Sequence, residues 1–313
     1  MTKTPSKLAP RARNAVSGAA LVTQSRFAPE RSRGRIPNAI FLTLMLSALV
    51  ISIIAIASIL AWAFVEGWPR LDANLILNGP STVNKATAGY SVALLGTLQI
   101  IGGVIALIVP LGAGAALYLE QFADRSKWWN RIIELNIQNL AGVPSIVFGI
   151  LGLAFFVRGP FSWGLVAASG SATVALLVLP TVILASREAL RAVPPSILEG
   201  SLALGATRWQ AVWRQVLPAA APGMLTGVIL AVARAIGEAA PLLLVGALTF
   251  VTFSPTFFDG GYSALPVLIY NYAGRPQEEF QILAAAGVLL MVAVLILINS
   301  LAIWLRARYE RSW

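Results

Sequence analysis

The sequence predicts an all-α membrane protein of six transmembrane helices, with both termini and a helical elbow on the cytoplasmic side. Three observations predict it. The 313-residue chain is 58% hydrophobic and only 12% charged, about half the charged share of a soluble protein. Its apolar residues gather in six runs of membrane-crossing length. Its basic residues are one-sided: the N-terminal tail, the 120–136 loop, the 186–222 segment and the C-terminus hold 18 Lys and Arg, against four in the other three loops. Such a bias places the richer segments in the cytoplasm.

Composition also excludes chemistry. There is no cysteine and no histidine, so disulfides, thiol nucleophiles, Cys/His metal sites and imidazole acid–base catalysis are absent. The net charge of +10 does not indicate nucleic acid, because the charges sit between apolar runs and at the ends.

Residues 1–38 form a basic tail with Lys3, Lys7, Arg11, Arg13, Arg26, Arg31, Arg33 and Arg35 and no apolar period. Its expected state is a disordered cytoplasmic segment that fixes topology; contact with anionic lipid is the other reading. The transmembrane domain spans 39–305, and 306–313 is a short basic terminus. The first span, 38–64, is too long for a signal-peptide core and is read as a retained anchor ending at Trp62 and Trp68. The second is 92–119. The third, 137–157, contains Gly142 and Pro144, which kink or interrupt it. The fourth is 169–185, the fifth 223–245 and the sixth 280–305. Between the last two, Leu265 to Tyr272 is apolar but too short to span, and is expected on or dipping into the outer surface.

The stretch Ser196 to Pro241 organises the rest, and its first part, 196–218, is a helical elbow. Pro194 and Pro195 stop the preceding helix. Ser196 with Glu199, and Thr207 with Gln210, have capping-box spacing. Gly205 lies between them as a C-terminal cap. Two short helices meeting at Gly205 are predicted, with Leu198 and Leu202 on one face of the first, Trp209 and Trp213 on one face of the second, and Pro218 and Pro222 closing the elbow. A compact apolar elbow in a cytoplasmic loop suits docking into a partner's groove.

Glu199-Gly200-Ser201, Gly205 six residues after the glutamate, and Leu217-Pro218 resemble the EAA loop of ATP-binding-cassette importer permeases. Gly200-Ser201 stands where that loop has Ala-Ala. Further runs narrow the resemblance: ARAIGEAAPLLLVGA from Ala233, GVPSIVFGILG from Gly142, VPLGAGAALYLEQFA from Val109 and GRPQEEF from Gly274 resemble the phosphate-importer permeases, most closely the A-type of their two paired subunits. The resemblance extends from about Tyr90 to Leu305. It implies a heterodimer with a homologous permease, two ATP-binding subunits docked through Glu199, Leu202, Gly205, Trp209, Leu217 and Pro218, and an extracytoplasmic phosphate-binding protein. ATP and magnesium would be bound by the partner ATPase, with no cofactor on this chain.

Arg234 and Glu238 are four apart within the fifth apolar run and so can pair. A guanidinium fits phosphate oxygens bidentately, and a nearby carboxylate can accept a proton from a protonated phosphate while disfavouring sulfate. Under the resemblance, Arg234 lines the anion path and Glu238 tunes it; a plain salt bridge is the alternative. Arg187, at the inner end of the fourth span, is a further path candidate or a positive-inside anchor. No G-x-x-x-x-G-K-[ST] loop is present, so the chain is a transport subunit whose ATPase is separate. An importer of sulfate or molybdate, and an ATPase-independent channel or secondary transporter, remain as other readings.

Overall fold

The structure is a computed structural model that describes residues 35–309, apart from 125, 248–250, 252 and 254, and gives side chains from 39 to 308. The expected disorder of the tail falls on residues 1–34, outside the described residues. Helix α1 (Arg35–Gly67) nevertheless begins inside the stretch read as tail, because Pro37 falls in its first turn, where a missing N–H is harmless. The chain divides into two units, residues 1–59 and 60–313.

In the first unit, every described side chain is exposed, and the helix is apolar on all sides. Its hydroxyls return to its own backbone: Thr43 donates to the Ala39 carbonyl at 2.9 Å and Ser52 to that of Ala48 at 2.8 Å. A lipid-facing helix must satisfy its polar groups in this way.

The second unit starts with a stapled loop. Arg70 donates to the carbonyls of Ala86 and Ala88 and pairs with Asp72. Asp72 in turn caps α2 (Ala73–Leu77) by accepting from the Leu75 N–H. Helix α3 (Ser91–Leu117) continues through a wide turn, 118–122. Helices α4 (Trp128–Ala141) and α5 (Ser145–Gly152, extended by a wide turn to Val157) meet at a bend of 108°. Pro144 supplies that break with an extended ψ of 138°, and the Gly142 N–H closes α4 on Asn139. The expected third span is thus a sharply bent helix pair, and among the described residues five helices are long and apolar enough to cross, or six if the bent pair counts as one.

Helix α6 (Ala167–Arg191) is the centre of the unit, with 78% of its apolar stretch enclosed. Its first turns are Ala, Ser, Gly and Thr, so α3 and α9 can approach closely. The buried hydroxyls of Ser171 and Thr173 bond back to Ala167 and Ser169. Past α6 come α7 (Pro195–Ala203), α8 (Arg208–Ala211) and α9 (Leu217–Gly237), then the short α10 (Ala240–Leu244).

One expectation fails here. Pro218 and Pro222 do not end the elbow: a wide turn, 212–216, joins α8 to α9, with the Leu217 N–H reaching back five residues to Val212, and the helix runs through from Arg208 to Gly237. Pro218 falls in the first turn of the α-helical segment that follows the wide turn, and Pro222 lies inside that helix. The apolar 265–272 stretch, read as too short to span, is enclosed by the protein. It forms α11 (Leu265–Ala273), with Leu265, Val267, Leu268 and Tyr272 buried, packed on α12 (Glu278–Tyr309). Its Tyr272 ring stacks on Phe280 at 5.4 Å, and Arg275 lies 4.7 Å over that ring. The GRPQEEF run is thus occupied in holding α11 to α12.

Candidate functional site

Two places carry the sequence-predicted residues, and one helix joins them. At the elbow, α7 follows α6 after three residues. Its N-cap is Pro194, with no side-chain capping bond. The Ser196–Glu199 box does not form, because the helix starts a residue before Ser196; Glu199 is exposed. The Thr207–Gln210 box does form: Thr207 Oγ1 accepts from the Gln210 N–H at 3.3 Å and Gln210 Oε1 from the Thr207 N–H at 3.0 Å. Gly205 sits at φ +86°. Its N–H donates to Leu202 at 3.0 Å, and that of Ala206 to Ser201 at 3.1 Å. These two bonds are the Schellman closure that requires a left-handed residue.

Leu198 and Leu217 turn inward, onto a core of Leu117, Leu190, Val212, Val216 and Met224. Leu202, Trp209 and Trp213 stay outside, Trp209 being 58% exposed, and Pro218 is exposed as well. Leu198 and Leu202 are therefore divided between core and surface. The Trp209 ring lies 5.8 Å from Phe122 and 5.3 Å from Trp213. An aromatic ledge beside Leu202 and Leu204, which is 91% exposed, is the apolar face the elbow presents.

At the other end of the same helix, Arg234 Nε meets Glu238 Oε1 at 3.2 Å. The helix stops at Gly237, and Glu238 already has an extended ψ of 109°. Glu238 thus caps the end of α9 and does not sit within it. The Arg234 side chain is 43% exposed and that of Glu238 18%. Among the described residues, Nε is the only Arg234 side-chain nitrogen with a hydrogen-bond partner. Both terminal nitrogens, the prongs that grip an oxyanion, are left for another oxygen ligand.

Arg187 is in a different situation. Its side chain is 5% exposed, with Nε on Glu120 at 2.6 Å and Nη2 on Glu134 at 2.6 Å. Arg191 reaches Glu120 at 2.8 Å and Glu188 at 3.0 Å. Sequence reasoning missed this cluster. Its signal was available in SREALR, which puts two arginines one turn apart on α6, and in Glu120 at the end of an apolar run. No group of three or more Asp and Glu able to hold a metal ion occurs among the described residues.

Comparison with known proteins agrees with this architecture. Residues 108–313 match the family model described as binding-protein-dependent transport system inner membrane component. A phosphate transport system permease protein of Mycobacterium tuberculosis, PstA 1, is 31% identical over 285 residues, covering 90% of this chain and 92% of its own. The protein named PstA in Yersinia pestis is 32% identical over 272 residues, covering 85% and 88%. Among solved structures, an inward-facing MetNI methionine ABC transporter chain superposes with a TM-score of 0.55 at 16% identity, covering 70% of this chain and 97% of its own. A chain of a bacterial ABC transporter that imports the acidic polysaccharide alginate gives 0.55 at 14%, covering 96% and 100%. The chain belongs to the family of binding-protein-dependent transport system inner membrane components.

Proposed function

We propose that this multi-pass permease subunit carries inorganic phosphate inward across a bacterial cytoplasmic membrane, powered by ATP on two partner subunits. The observation that carries the proposal is the unbroken helix Arg208–Gly237. It holds Trp209 and Trp213 at one end and the Arg234–Glu238 pair at the other, about 38 Å away at 1.5 Å per residue. A displacement applied to the elbow is delivered to the anion-binding pair by one rigid element.

The roles then follow. Glu199, Leu202, Gly205, Trp209, Leu217 and Pro218 shape or form the face that an ATP-binding subunit docks on. Arg234 receives the phosphate oxygens, and Glu238 orients the guanidinium and accepts a hydrogen bond from the P–OH of a protonated phosphate, which sulfate cannot offer. Arg187, whose donors are committed to carboxylates, is assigned to the interior and not to the path. A homologous permease subunit completes the pathway, and an extracytoplasmic binding protein delivers the anion, a delivery that the family's description as binding-protein-dependent supports. No cofactor is assigned to this chain; ATP and magnesium belong to its partners, and both termini to the cytoplasm.

The test is Arg234→Gln in the whole complex. Assembly and basal ATP hydrolysis persist, while phosphate uptake is lost. Loss of assembly would instead make the pair a structural salt bridge.

A further inference from the structure

The buried charges around Arg187 have no part in the roles above. They are nonetheless the most enclosed ionic group in the second unit, with Glu120 at 3% and Arg187 at 5% side-chain exposure. Desolvating such a group is costly, and well-packed apolar residues would serve stability as well or better. The positive-inside bias is equally satisfied by exposed arginines. The cluster's position suggests what it does.

Three elements meet there. Glu120 is on the wide turn that ends α3, Arg187 and Arg191 are on the last turn of α6, and Glu134 is on the inward face of α4 between Asn130 and Ile137. On one side, Arg191 is joined to α7 by Ala192, Val193 and Pro194. That link is short and bonded, with the Ala192 N–H on Glu188 and the Ile197 N–H on Pro194. On the other side, α4 runs through the 108° bend at Gly142–Pro144 into α5. Gly149 of α5 packs so closely on α10 that a Cβ there would lie 2.8 Å from the Pro241 Cα. Pro241 follows Glu238 by three residues. A second contiguous route therefore leads from the elbow to the anion pair, and the cluster is its only ionic joint among the described residues.

A further carboxylate also lies within reach of the joint's outer arginine. Arg191 is 42% exposed and now rests on Glu120 and Glu188, yet it is already 3.9 Å from Glu134. A cavity of about 210 Å³ lies between Glu120, Arg191, Pro194, Leu198 and Val216, so α7 can shift against the cluster without overlap. Coupling between distant sites needs a discrete two-state element.

We infer that Glu120, Arg187 and Glu134, with Arg191 as the exchangeable member, form an ionic clasp that passes elbow movement to the bent α4–α5 pair. These are positioning residues, touching neither phosphate nor ATP. The inference rests on the transport reading above.

The experiment measures phosphate taken up per ATP hydrolysed, using the complete complex in liposomes with labelled phosphate. Glu134→Gln keeps the shape and removes the charge. ATP hydrolysis persists while the ratio falls by roughly 5- to 150-fold, the usual span of a coupling between sites, and Glu134→Asp restores most of it. If Glu134→Gln does not assemble, the half-exposed Arg191→Gln gives the same fall. An unchanged ratio, with uptake and hydrolysis lowered in proportion to the amount of complex, would overturn the clasp and leave a purely structural cluster. No ATP-dependent phosphate uptake by the unaltered complex would overturn the transport reading, and the clasp with it.

Discussion

Two glycines five residues apart in the elbow respond to the same substitution with opposite signs. Gly205 has φ +86°, and a Cβ built there meets nothing within 4 Å. The effect of Gly205→Ala is therefore backbone strain alone, about 1–2 kcal/mol for a left-handed residue with a Cβ. Gly200 is inside α7, also with open space around it. Gly200→Ala stabilises that helix by up to about 1 kcal/mol. The two variants thus differ by about 1–3 kcal/mol, or roughly 5- to 150-fold in the ratio of ordered to frayed elbow at tenfold per 1.4 kcal/mol. Amide exchange across residues 196–206 of the detergent-solubilised complex reads this directly, and retention of the ATP-binding subunit on washing reads its consequence. Gly205→Ala speeds exchange and sheds the partner; Gly200→Ala slows exchange and keeps it. Equal exchange in the two variants would refute the Schellman account of the elbow.

Other outcomes follow from the same geometry. On α9, a Cβ at Gly227 would lie 2.4 Å from that of Ala185 on α6, so Gly227→Val overpacks the contact by about 1–3 kcal/mol and lowers the thermal midpoint of the solubilised protein, whereas Gly102→Ala, with open space around it, does not. Trp209→Ala removes ring contacts to Phe122 and Trp213, each about 0.5–1.5 kcal/mol, and should weaken ATPase retention without altering α9. In the loop before α2, hydrogen bonds from Asn74 and Leu75 and the nearby Arg70 hold the Asp72 carboxyl below its ordinary value. Its lowered folded-state pKa means its contribution is present above the unfolded-state pKa and is lost as pH falls through the folded-state value. Amide exchange of residues 73–77, corrected for the intrinsic rate, therefore rises on acidification in the natural protein, and Asp72→Asn removes that dependence.

The long apolar helices and the turn chemistry were legible in the sequence because both are local. Gly205 and the Thr207–Gln210 box depend on residues within one turn, and both stand as expected. Three features were not legible, each because a non-local or finely balanced term decides it. The Ser196–Glu199 pair has the right spacing, but Pro195 at the first helical position moves the helix start ahead of the serine. Pro218 and Pro222 read as stops, yet the wide turn at 212–216 carries the helix past Pro218; tertiary packing of Val212 and Val216 in the core favours continuation. The 265–272 stretch has a surface-helix length, and only its pairing with α12 through Tyr272 and Phe280 buries it. Arg187 shows the limit most plainly: its partners Glu120 and Glu134 are 67 and 53 residues away, and no spacing rule connects them.

The central claim is that the elbow couples ATP to phosphate movement past Arg234. Its most direct test is uptake of labelled phosphate by liposomes holding the complete complex, with and without ATP, in excess sulfate. Uptake that requires ATP and persists in sulfate is the predicted result. Uptake indifferent to ATP would contradict the coupling role of the elbow. ATP hydrolysis by the same complex without phosphate entry would keep the permease architecture and remove phosphate as the substrate.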